Sequence, residues 1–362
     1  MIPYGRQNVN DDDAAAVARV LRSAFLTQGP LVEEFESALA KKLGAKHCVV
    51  LSNGTAALQL ALAAAQLPKN SEVITTPVTF AATANACLYN SLKPVFSDVE
   101  AETMNLDASK IRVTRKTKAL LPVHYAGHPC DLDAFRETAE EKDLFLLEDA
   151  CHALGAEYKG KRIGSRGTCA LSFHPVKHIT TGEGGAVVTD DGKIAERCRL
   201  LRSHGITKNI KGKPAWYNAM LELSYNYRIT DIQCALGLSQ LGRLDAFVAE
   251  RRKIAARYPM LIDDARVTLP TEKGYARHAW HLYPVRVANR DRVFASMRAQ
   301  GVGVQVHYLP VYLHPYYQKL GYKKGSCPIA EREAGRELSL PMYPGLAREE
   351  QEYAAKKLRE AA

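Results

Sequence analysis

The residues with the clearest chemical potential are an aspartate after one apolar run and a lysine after another. Asp149 follows the apolar run 144–147, and Lys177 follows the apolar run 168–173. A carboxylate in an enclosed site can keep a pyridinium nitrogen protonated, and a lysine amine can form a Schiff base with an aldehyde. Glycines shortly after the lysine let the backbone approach a ligand closely. Each residue alone is typical of a helix cap or a surface, so only the joint arrangement indicates a site.

A third feature is the small-residue turn 52–55, which joins the apolar run His47–Leu51 to a stretch rich in alanine and leucine. If that stretch is a helix, its free backbone N–H groups and its positive end can receive a phosphate. The turn matches neither the P-loop nor the spaced-glycine dinucleotide fingerprint. A helix-end phosphate site, a strand-end aspartate and a loop lysine, in this order, predict an enzyme that uses pyridoxal phosphate (PLP).

These residues must be positioned by the short apolar strands and helices that alternate through the first half of the chain. The pattern predicts strands at 47–51, 72–76, 94–97, 119–124 and 144–147. It predicts helices at 56–66, 81–88 and 131–141, the last with Asp131 as its N-cap. Such alternation indicates an α/β protein with a mostly parallel sheet covered on both faces. Asp149 would then lie at the carboxyl edge of the sheet, where such sheets bind ligands.

The pattern changes in the second half of the chain. The apolar runs 168–173 and 186–189 flank the glycine-rich loop and predict a pair of neighbouring strands. One long helix is predicted over 230–258. A strand, a helix, a strand and a helix are predicted after it, at 281–287, 290–300, 304–307 and 348–360. We therefore expect an N-terminal arm and large PLP-binding domain over 1–245 and a small C-terminal α/β domain over 246–362.

The composition is that of a soluble globular protein, since 46% of the 362 residues are hydrophobic and 24% are charged. No apolar run approaches the ~20 residues of a membrane helix and no signal-peptide layout is visible, so a cytoplasmic location is expected. The eight cysteines include no CxxC pair, which argues against a zinc knuckle and favours buried thiols. His278 and His281 have no evident third ligand, so no metal site is predicted.

The sequence resembles the DegT/DnrJ/EryC1/StrS sugar aminotransferases over essentially its whole length. The resemblance rests on the motifs at 26–30, 172–185, 203–205, 225–228 and 305–308. It implies the aspartate-aminotransferase-like (type I) PLP fold. It also implies amino transfer, with PLP as the cofactor and pyridoxamine phosphate as its intermediate form, in a homodimer whose subunits share their active sites.

The resemblance further implies roles for individual residues. Lys177 would hold the cofactor as a covalent imine, and Asp149 would pair with the nitrogen of its ring. Further cofactor contacts are implied at Thr55, Ala56, Phe80, His152, Ser172 and, from the neighbouring subunit, Asn226. His152 stands where many relatives have glutamine. Contacts to a nucleotide-sugar are implied at Tyr4, Leu26, Thr27, Gln28, Arg228, His307 and Tyr308.

Within the family, the motif 172–185 most resembles the subgroup that acts in pseudaminic acid biosynthesis. That subgroup aminates C4 of a UDP-linked 4-keto-6-deoxy-N-acetylhexosamine with L-glutamate as the amino donor. Two alternatives stay open: an aminotransferase for another nucleotide-linked keto sugar, of perosamine or 4-amino-arabinose type, and a non-catalytic regulator on the same fold. A pyridoxamine-dependent dehydratase, in which histidine replaces the lysine, is disfavoured by Lys177.

The positive charge of the chain has three possible interpretations. The 49 Lys and Arg residues against 39 Asp and Glu residues give a formal charge of +10. Such an excess fits a nucleic-acid partner, an anionic small molecule or a solvated surface. A PLP phosphate and a nucleotide diphosphate are anionic ligands, so neither a nucleic-acid nor a membrane partner is expected. The basic run 208–213 is predicted to be a solvated loop or, alternatively, to meet a diphosphate bound by a second subunit.

Overall fold

The computed structural model describes residues 1–208 and 210–362. Asn209, within the basic run 208–213, lies outside the described residues. The helices are α1 (Asp11–Leu21), α2 (Pro30–Leu43), α3 (Gly54–Ala64), α4 (Ala81–Tyr89), α5 (Leu132–Glu141), α6 (Gly192–Leu201), α7 (Asp231–Gly242), α8 (Leu244–Ile262), α9 (Arg290–Ala299), α10 (Pro315–Lys319), α11 (Pro328–Ala334) and α12 (Arg348–Ala361). In this part of the chain, no helix is long and apolar enough to cross a membrane.

Among the described residues, the strands form four sheets. The strands are β1 (His47–Leu51), β2 (Glu72–Thr75), β3 (Lys93–Phe96), β4 (Thr117–Leu121), β5 (Phe145–Asp149), β6 (Glu157–Tyr158), β7 (Lys161–Arg162), β8 (Thr168–Ser172), β9 (Gly185–Thr189), β10 (Ile206–Thr207), β11 (Ala219–Met220), β12 (Val267–Thr268), β13 (Ala276–Arg277), β14 (Tyr283–Val287) and β15 (Glu337–Leu340). The shorter strands form the pair β10-β11 and the sheet β13-β6-β7.

The central sheet has seven strands in the order β1-β9-β8-β5-β4-β2-β3. β5 pairs in parallel with β4 and β8, and β2 pairs in parallel with β3 and β4. β9 is antiparallel to both β1 and β8, so within this sheet it runs against the other strands. The structure confirms the α/β class, the mostly parallel sheet and the predicted strand pair, which is β8 and β9.

Helices cover both faces of the central sheet, so its strands are apolar on both sides. In β1, Cys48 and Val50 belong to the cluster that includes Phe35 of α2, whereas Val49 and Leu51 belong to the cluster that includes α3. This division follows from the period-two geometry of a strand. α3 is made almost entirely of alanine and leucine and is buried along most of its length, so it packs closely on the sheet. The start of α3 therefore lies beside the carboxyl ends of β5 and β8.

The C-terminal region has a separate antiparallel sheet, β12-β14-β15. Its core contains Tyr258 of α8, Val285 of β14 and Leu358 of α12, all fully buried. The first part of α8 instead packs on the core of the central sheet, through Leu244 and Val248. α8 therefore connects the two cores. The boundary at residue 245 falls at the start of this connecting helix, and we keep it as a proposal.

The single helix predicted over 230–258 is wrong, because α7 and α8 are separated at Arg243. The Arg243 guanidinium donates hydrogen bonds to Asp13 and to Asn8. Helical periodicity continues through this position in the sequence. Gly242 ends α7 directly before this position, and the Arg243 side chain contacts the N-terminal arm there.

Asp131 stands at the predicted N-cap position of α5, but its side chain makes no capping hydrogen bond there. Its carboxylate accepts a hydrogen bond from the Tyr158 hydroxyl at 2.7 Å instead. The strand predicted over 304–307 does not form a ladder. The N–H of His307 donates instead to the Glu337 carboxylate at 2.6 Å, and a single bridge joins Gln305 to a residue of β15.

Gly185 opens β9 where the chain passes close to the turn after β1. A Cβ atom there would lie 2.5 Å from the carbonyl oxygen of Asn53 and 2.7 Å from the nitrogen of Gly54. We expect Gly185→Ala to lower the free energy of unfolding by about 1–3 kcal/mol, the usual cost of overpacking, as measured by urea denaturation. The control is Gly274→Ala, whose Cβ would meet no atom within 4 Å. Equal stability of the two variants would contradict the close approach.

Candidate active site

A cavity of about 950 Å³ opens at the carboxyl edge of the central sheet. The loops after β1, β2, β5 and β8 contribute to its wall, together with the segment 305–308. The predicted site residues that line it are Tyr4, Thr55, Ala56, Phe80, Asp149, His152, Ser172, Lys177, His307 and Tyr308. The carboxyl ends of parallel strands share one edge of a sheet, so residues that are far apart in sequence converge here.

Asp149 is a buried carboxylate held by two donors. Its Oδ2 accepts a hydrogen bond from the Thr83 hydroxyl at 2.7 Å, and its Oδ1 accepts one from the backbone N–H of Cys151 at 3.1 Å. The Thr83 hydroxyl also lies 2.7 Å from that of Thr79. A carboxylate fixed in this way presents negative charge at a defined place, where it can pair with a cationic ring nitrogen.

Lys177 lies in the loop after β8 and is the amine of the cavity. Its Nζ lies 3.3 Å from Nε2 of His281. Burial lowers the pKa of Lys177 to about 8, even though the nearby groups of Cys151 and Asp149 act in the opposite direction. A larger fraction of this amine is therefore neutral at neutral pH than of an exposed lysine. Only the neutral amine acts as a nucleophile or a base.

The turn after β1 presents the start of α3 to the cavity. Asn53 caps the helix, because its side-chain oxygen accepts the N–H of Ala56 at 2.8 Å. The first N–H groups of a helix, here at Gly54 and Thr55, have no partner within the helix and carry its positive end. A Cβ at Gly54 would lie 2.9 Å from that of Ser172, so glycine allows the two segments to touch. This corner of the cavity suits a phosphate.

His152 and Tyr308 meet across the cavity. The Tyr308 hydroxyl lies 3.1 Å from Nε2 of His152, whose Nδ1 is buried without a hydrogen-bond partner in the described structure. Burial lowers the pKa of His152 well below its ordinary value, so the imidazole is neutral. A buried unpaired nitrogen beside Lys177 suits a hydrogen bond to a ligand. Phe80, with 60% of its surface exposed, lies 6.2 Å from Tyr308 between ring centroids and can cover a planar ring.

Tyr4 and His307 form another wall of the cavity, with 5.4 Å between their ring centroids. The backbone of His307 is held on both sides, since its N–H donates to Glu337 and its carbonyl accepts from the Tyr125 hydroxyl. Its Nδ1 lies 2.9 Å from the hydroxyl of Ser339. These bonds hold the residues of segment 305–308 against the site.

Five predicted contact residues lie outside the wall of this cavity. They are Leu26, Thr27, Gln28, Asn226 and Arg228, and we call them the outer strip. An antiparallel bridge between Thr27 and Thr230 joins its two segments. Along 225–228 the residues alternate, because Tyr225 and Tyr227 line the cavity whereas Asn226 and Arg228 do not. Within one subunit, the structure does not bring the outer strip together with Lys177.

Several residues of the site were not selected from the sequence. Thr83 bonds Asp149, His281 faces Lys177, and Tyr225 and Tyr227 form part of the wall. The two tyrosines lie in a motif of the resemblance, which was the available signal for them. No local pattern marks Thr83 or His281, because the partner of each is far away in the sequence. Thr83 is 66 residues from Asp149, and His281 is 104 residues from Lys177.

Comparisons with known proteins identify the family of the chain. The sequence matches the DegT/DnrJ/EryC1/StrS aminotransferase family over residues 7–359. It is 39% identical over 331 residues to the UDP-4-amino-4,6-dideoxy-N-acetyl-beta-L-altrosamine transaminase of Campylobacter jejuni, which covers 88% of this chain and 87% of that protein. It is also 39% identical over 349 residues to a pleiotropic regulatory protein of Geobacillus stearothermophilus, which covers 94% of this chain and 92% of that protein.

The fold is similar to a solved structure as well. Helicobacter pylori PseC, an aminotransferase involved in the biosynthesis of pseudoaminic acid, superimposes with a TM-score of 0.94 at 33% identity, covering 99% of this chain and 98% of that chain. This similarity confirms the predicted type I PLP fold. The chain belongs to the DegT/DnrJ/EryC1/StrS aminotransferase family and is a PLP-dependent sugar aminotransferase.

Proposed function

We propose that this enzyme transfers the amino group of L-glutamate to C4 of a UDP-linked 4-keto-6-deoxy-N-acetylhexosamine, as in pseudaminic acid biosynthesis. The proposal draws its substrate from the Campylobacter jejuni and Helicobacter pylori relatives. The observation that carries it is the placement of Lys177, Asp149 and the start of α3 around one cavity. Amine, carboxylate and helix end fit the aldehyde, the ring nitrogen and the phosphate of PLP.

PLP, when bound, supplies an aldehyde that holds the amino group and a ring that takes up the electrons of a breaking C–H bond. Asp149 would pair with the ring nitrogen, and its negative charge would keep the proton there. Thr83 and the Cys151 N–H orient the Asp149 carboxylate, since each donates to a different oxygen. The neutral imidazole of His152 would offer its Nδ1 for a hydrogen bond to the cofactor.

Lys177 has two tasks. Its neutral amine holds the cofactor in the resting enzyme, and its Nζ accepts the proton from the α-carbon of glutamate when the amine is free. In the second half of the reaction the same Nζ would reverse this step and give a proton to C4 of the sugar, which keeps the amino group. The lowered pKa allows both tasks, because a permanently charged ammonium could do neither.

The lowered pKa of Lys177 predicts how PLP capture by the apoprotein depends on pH. Capture requires the neutral amine, so its rate should rise with pH and level off above about 8, well below the ordinary value of 10.5. The rate of capture is followed by absorbance after rapid mixing of apoprotein with PLP, at pH values from below 8 to above 10.5. The pH at which the rate is half its maximum is the midpoint. A rate that is still rising steeply near 10.5 would contradict the burial of the amine.

We infer that the active enzyme is a homodimer in which the outer strip completes the site of the other subunit. Among the described residues that line the cavity, Lys177 is the sole lysine or arginine. A nucleotide diphosphate needs further positive or donor groups. Arg228 and Asn226 of the partner subunit can supply them. Exposed apolar side chains near the outer strip, among them Trp216 at 77% and Leu223 at 91% exposure, fit burial between two subunits.

Mixed dimers test the shared site. Lys177→Ala and Asn226→Ala should each be nearly inactive, because every site lacks either its lysine or its partner's asparagine. After unfolding and refolding together in equal amounts, about half of the dimers are mixed and each has one intact site, so about a quarter of the wild-type activity should return. No recovery, with dimers seen by sedimentation, would contradict a shared site.

The substrate is tested by an end-point assay with glutamate and a panel of UDP-, dTDP- and GDP-linked 4-keto sugars, analysed by mass spectrometry. We expect the UDP-linked 4-keto-N-acetylhexosamine to gain an amino group at C4. Preference for a GDP- or dTDP-linked sugar would overturn the proposed substrate and leave the aminotransferase class intact. Other amino donors in place of glutamate provide the control for the donor.

A regulator is the second candidate, because the Geobacillus stearothermophilus relative carries that name. A non-catalytic regulator would not change its bound cofactor when glutamate is added. The visible absorbance of the purified protein, recorded before and after addition of glutamate, separates the two. Loss of the band supports the enzyme.

A further inference from the structure

His281 makes one side-chain hydrogen bond within the described structure, and that bond is to Lys177. The distance between Nε2 of His281 and Nζ of Lys177 is 3.3 Å. The other ring nitrogen, Nδ1, is buried and has no hydrogen-bond partner among the residues that the structure describes. A buried polar atom without a hydrogen bond is costly, so a ring held in this state is typical of a functional site.

One buried cation holds the backbone on both sides of this contact. Arg251 of α8 is fully buried. Its Nη1 donates to the carbonyls of Trp280, His281 and Met342 at 3.2, 3.1 and 2.8 Å. Its Nη2 donates to the carbonyl of Val176 at 3.4 Å, immediately before Lys177. The same guanidinium therefore sets the positions of both the histidine and the lysine loop.

The backbone before His281 is also held in an unusual conformation. Trp280 has a φ of 51°, in the left-handed region that few bulky residues adopt. The N–H of Ala279 donates to Gly127 at 3.0 Å, and the N–H of Leu282 donates to Ala126 at 3.2 Å. Strained backbone persists where its surroundings determine it, and it concentrates at functional sites.

We propose that His281 is a positioning residue for Lys177: it accepts a hydrogen bond from the amine whenever the amine is free of the cofactor. This inference rests on the proposed function. A neutral amine has two N–H donors and one lone pair. With one N–H directed to Nε2 of His281, the lone pair is restricted to fewer directions and can face the α-carbon of the donor. After Nζ takes up a proton it still donates to the same nitrogen, so His281 neither gains nor loses a proton.

The surroundings of His281 keep it neutral for this role. Lys177, His152, His178 and Arg251 are the titratable groups that face it. Burial and these neighbours lower the pKa of His281 well below its ordinary value. Its ring lies 4.4 Å from that of His152 and 5.8 Å from that of His178, between centroids. A neutral ring keeps one nitrogen as an acceptor for the amine.

The test compares variants that keep or remove an acceptor at this position. His281→Leu removes it, and His281→Gln restores an acceptor at a similar reach. His47→Leu is the control for the same replacement away from the site, because His47 opens β1 and is not among the described residues that line the cavity. The first readout is the single-turnover rate with glutamate, followed by absorbance. The second is the pH midpoint of PLP capture by the apoprotein, which needs no turnover.

We expect His281→Leu to slow the single turnover about 10- to 100-fold while the half-saturating glutamate concentration changes less than about 2-fold. The pH midpoint of PLP capture should fall by about one unit, because the ammonium form loses its acceptor. His281→Gln should recover most of the rate, and His47→Leu should resemble the wild type in both readouts.

Wild-type rate and midpoint in folded His281→Leu would overturn the inference. If that variant does not fold, the inference is tested by comparing His281→Gln with His281→Asn. Both side chains are polar, but only glutamine is long enough to reach Nζ of Lys177. Equal rates in these two variants would overturn it as well. The proposed function fails in a different way, namely if the wild-type enzyme itself captures no PLP or transfers no amino group.

Discussion

Replacement of Lys177 with alanine is expected to abolish amino transfer and the visible absorbance of bound PLP. The variant lacks both the amine that holds the cofactor and the base that accepts the α-proton. Because the two losses act on the same reaction, the turnover number should fall by about 10⁴-fold or more. Steady-state formation of 2-oxoglutarate measures the rate, and an absorbance spectrum of the purified protein measures cofactor binding.

The control for this variant is Lys193→Ala, which removes an exposed lysine from the start of α6. It should keep the wild-type rate and spectrum. Lys177→Arg gives a stricter comparison, because arginine keeps the positive charge but cannot lose its proton in a protein. It should be as inactive as Lys177→Ala. Substantial turnover in either Lys177 variant would contradict the assignment of the amine.

Replacement of Asp149 with asparagine has the second largest expected effect. Asparagine has the same shape, and its oxygen can still accept the N–H of Cys151. Its amide N–H can face Thr83, whose hydroxyl can turn to donate to Thr79. The fold should therefore survive. The negative charge for the ring nitrogen is lost, so the turnover number should fall by about 10²- to 10³-fold, as for other preorganised electrostatic groups.

Steady-state kinetics at saturating PLP measure this effect, so that weaker cofactor binding does not mimic it. Asp133→Asn is the matched control, since that carboxylate forms an exposed ion pair with Lys159. Exposed pairs contribute about 0–1 kcal/mol to stability, so the control should behave as the wild type. If Asp149→Asn retained wild-type turnover, the carboxylate would not be the partner of the ring nitrogen.

Much of the architecture could be read from local patterns. The strands β1, β2, β4 and β5, and the pair β8 and β9, were predicted because short apolar runs between turn residues are a strong local signal. Asp149 and Lys177 could be placed at the ends of such runs, and parallel strands share a carboxyl edge. The family resemblance added the other predicted residues of the cavity wall.

The errors occurred where a side chain from elsewhere replaced a local rule. Arg243 lies between α7 and α8, where its side chain contacts the N-terminal arm. Glu337 receives the N–H of His307, so no strand forms there. β15 and the short helices α10 and α11 were not predicted, because short segments carry little periodicity and depend on the packing around them.

The pattern of residue types was therefore enough for the strand ends, the cofactor class and the pairing of amine with carboxylate in one site. Tertiary packing alone brings Thr83 to Asp149, Arg251 to the lysine loop and His281 to Lys177 across a separation of 104 residues. The physical reason is the range of each signal. Hydrophobic periodicity and turn chemistry act over a few residues, whereas a buried hydrogen bond between distant residues exists only after the chain has folded around it.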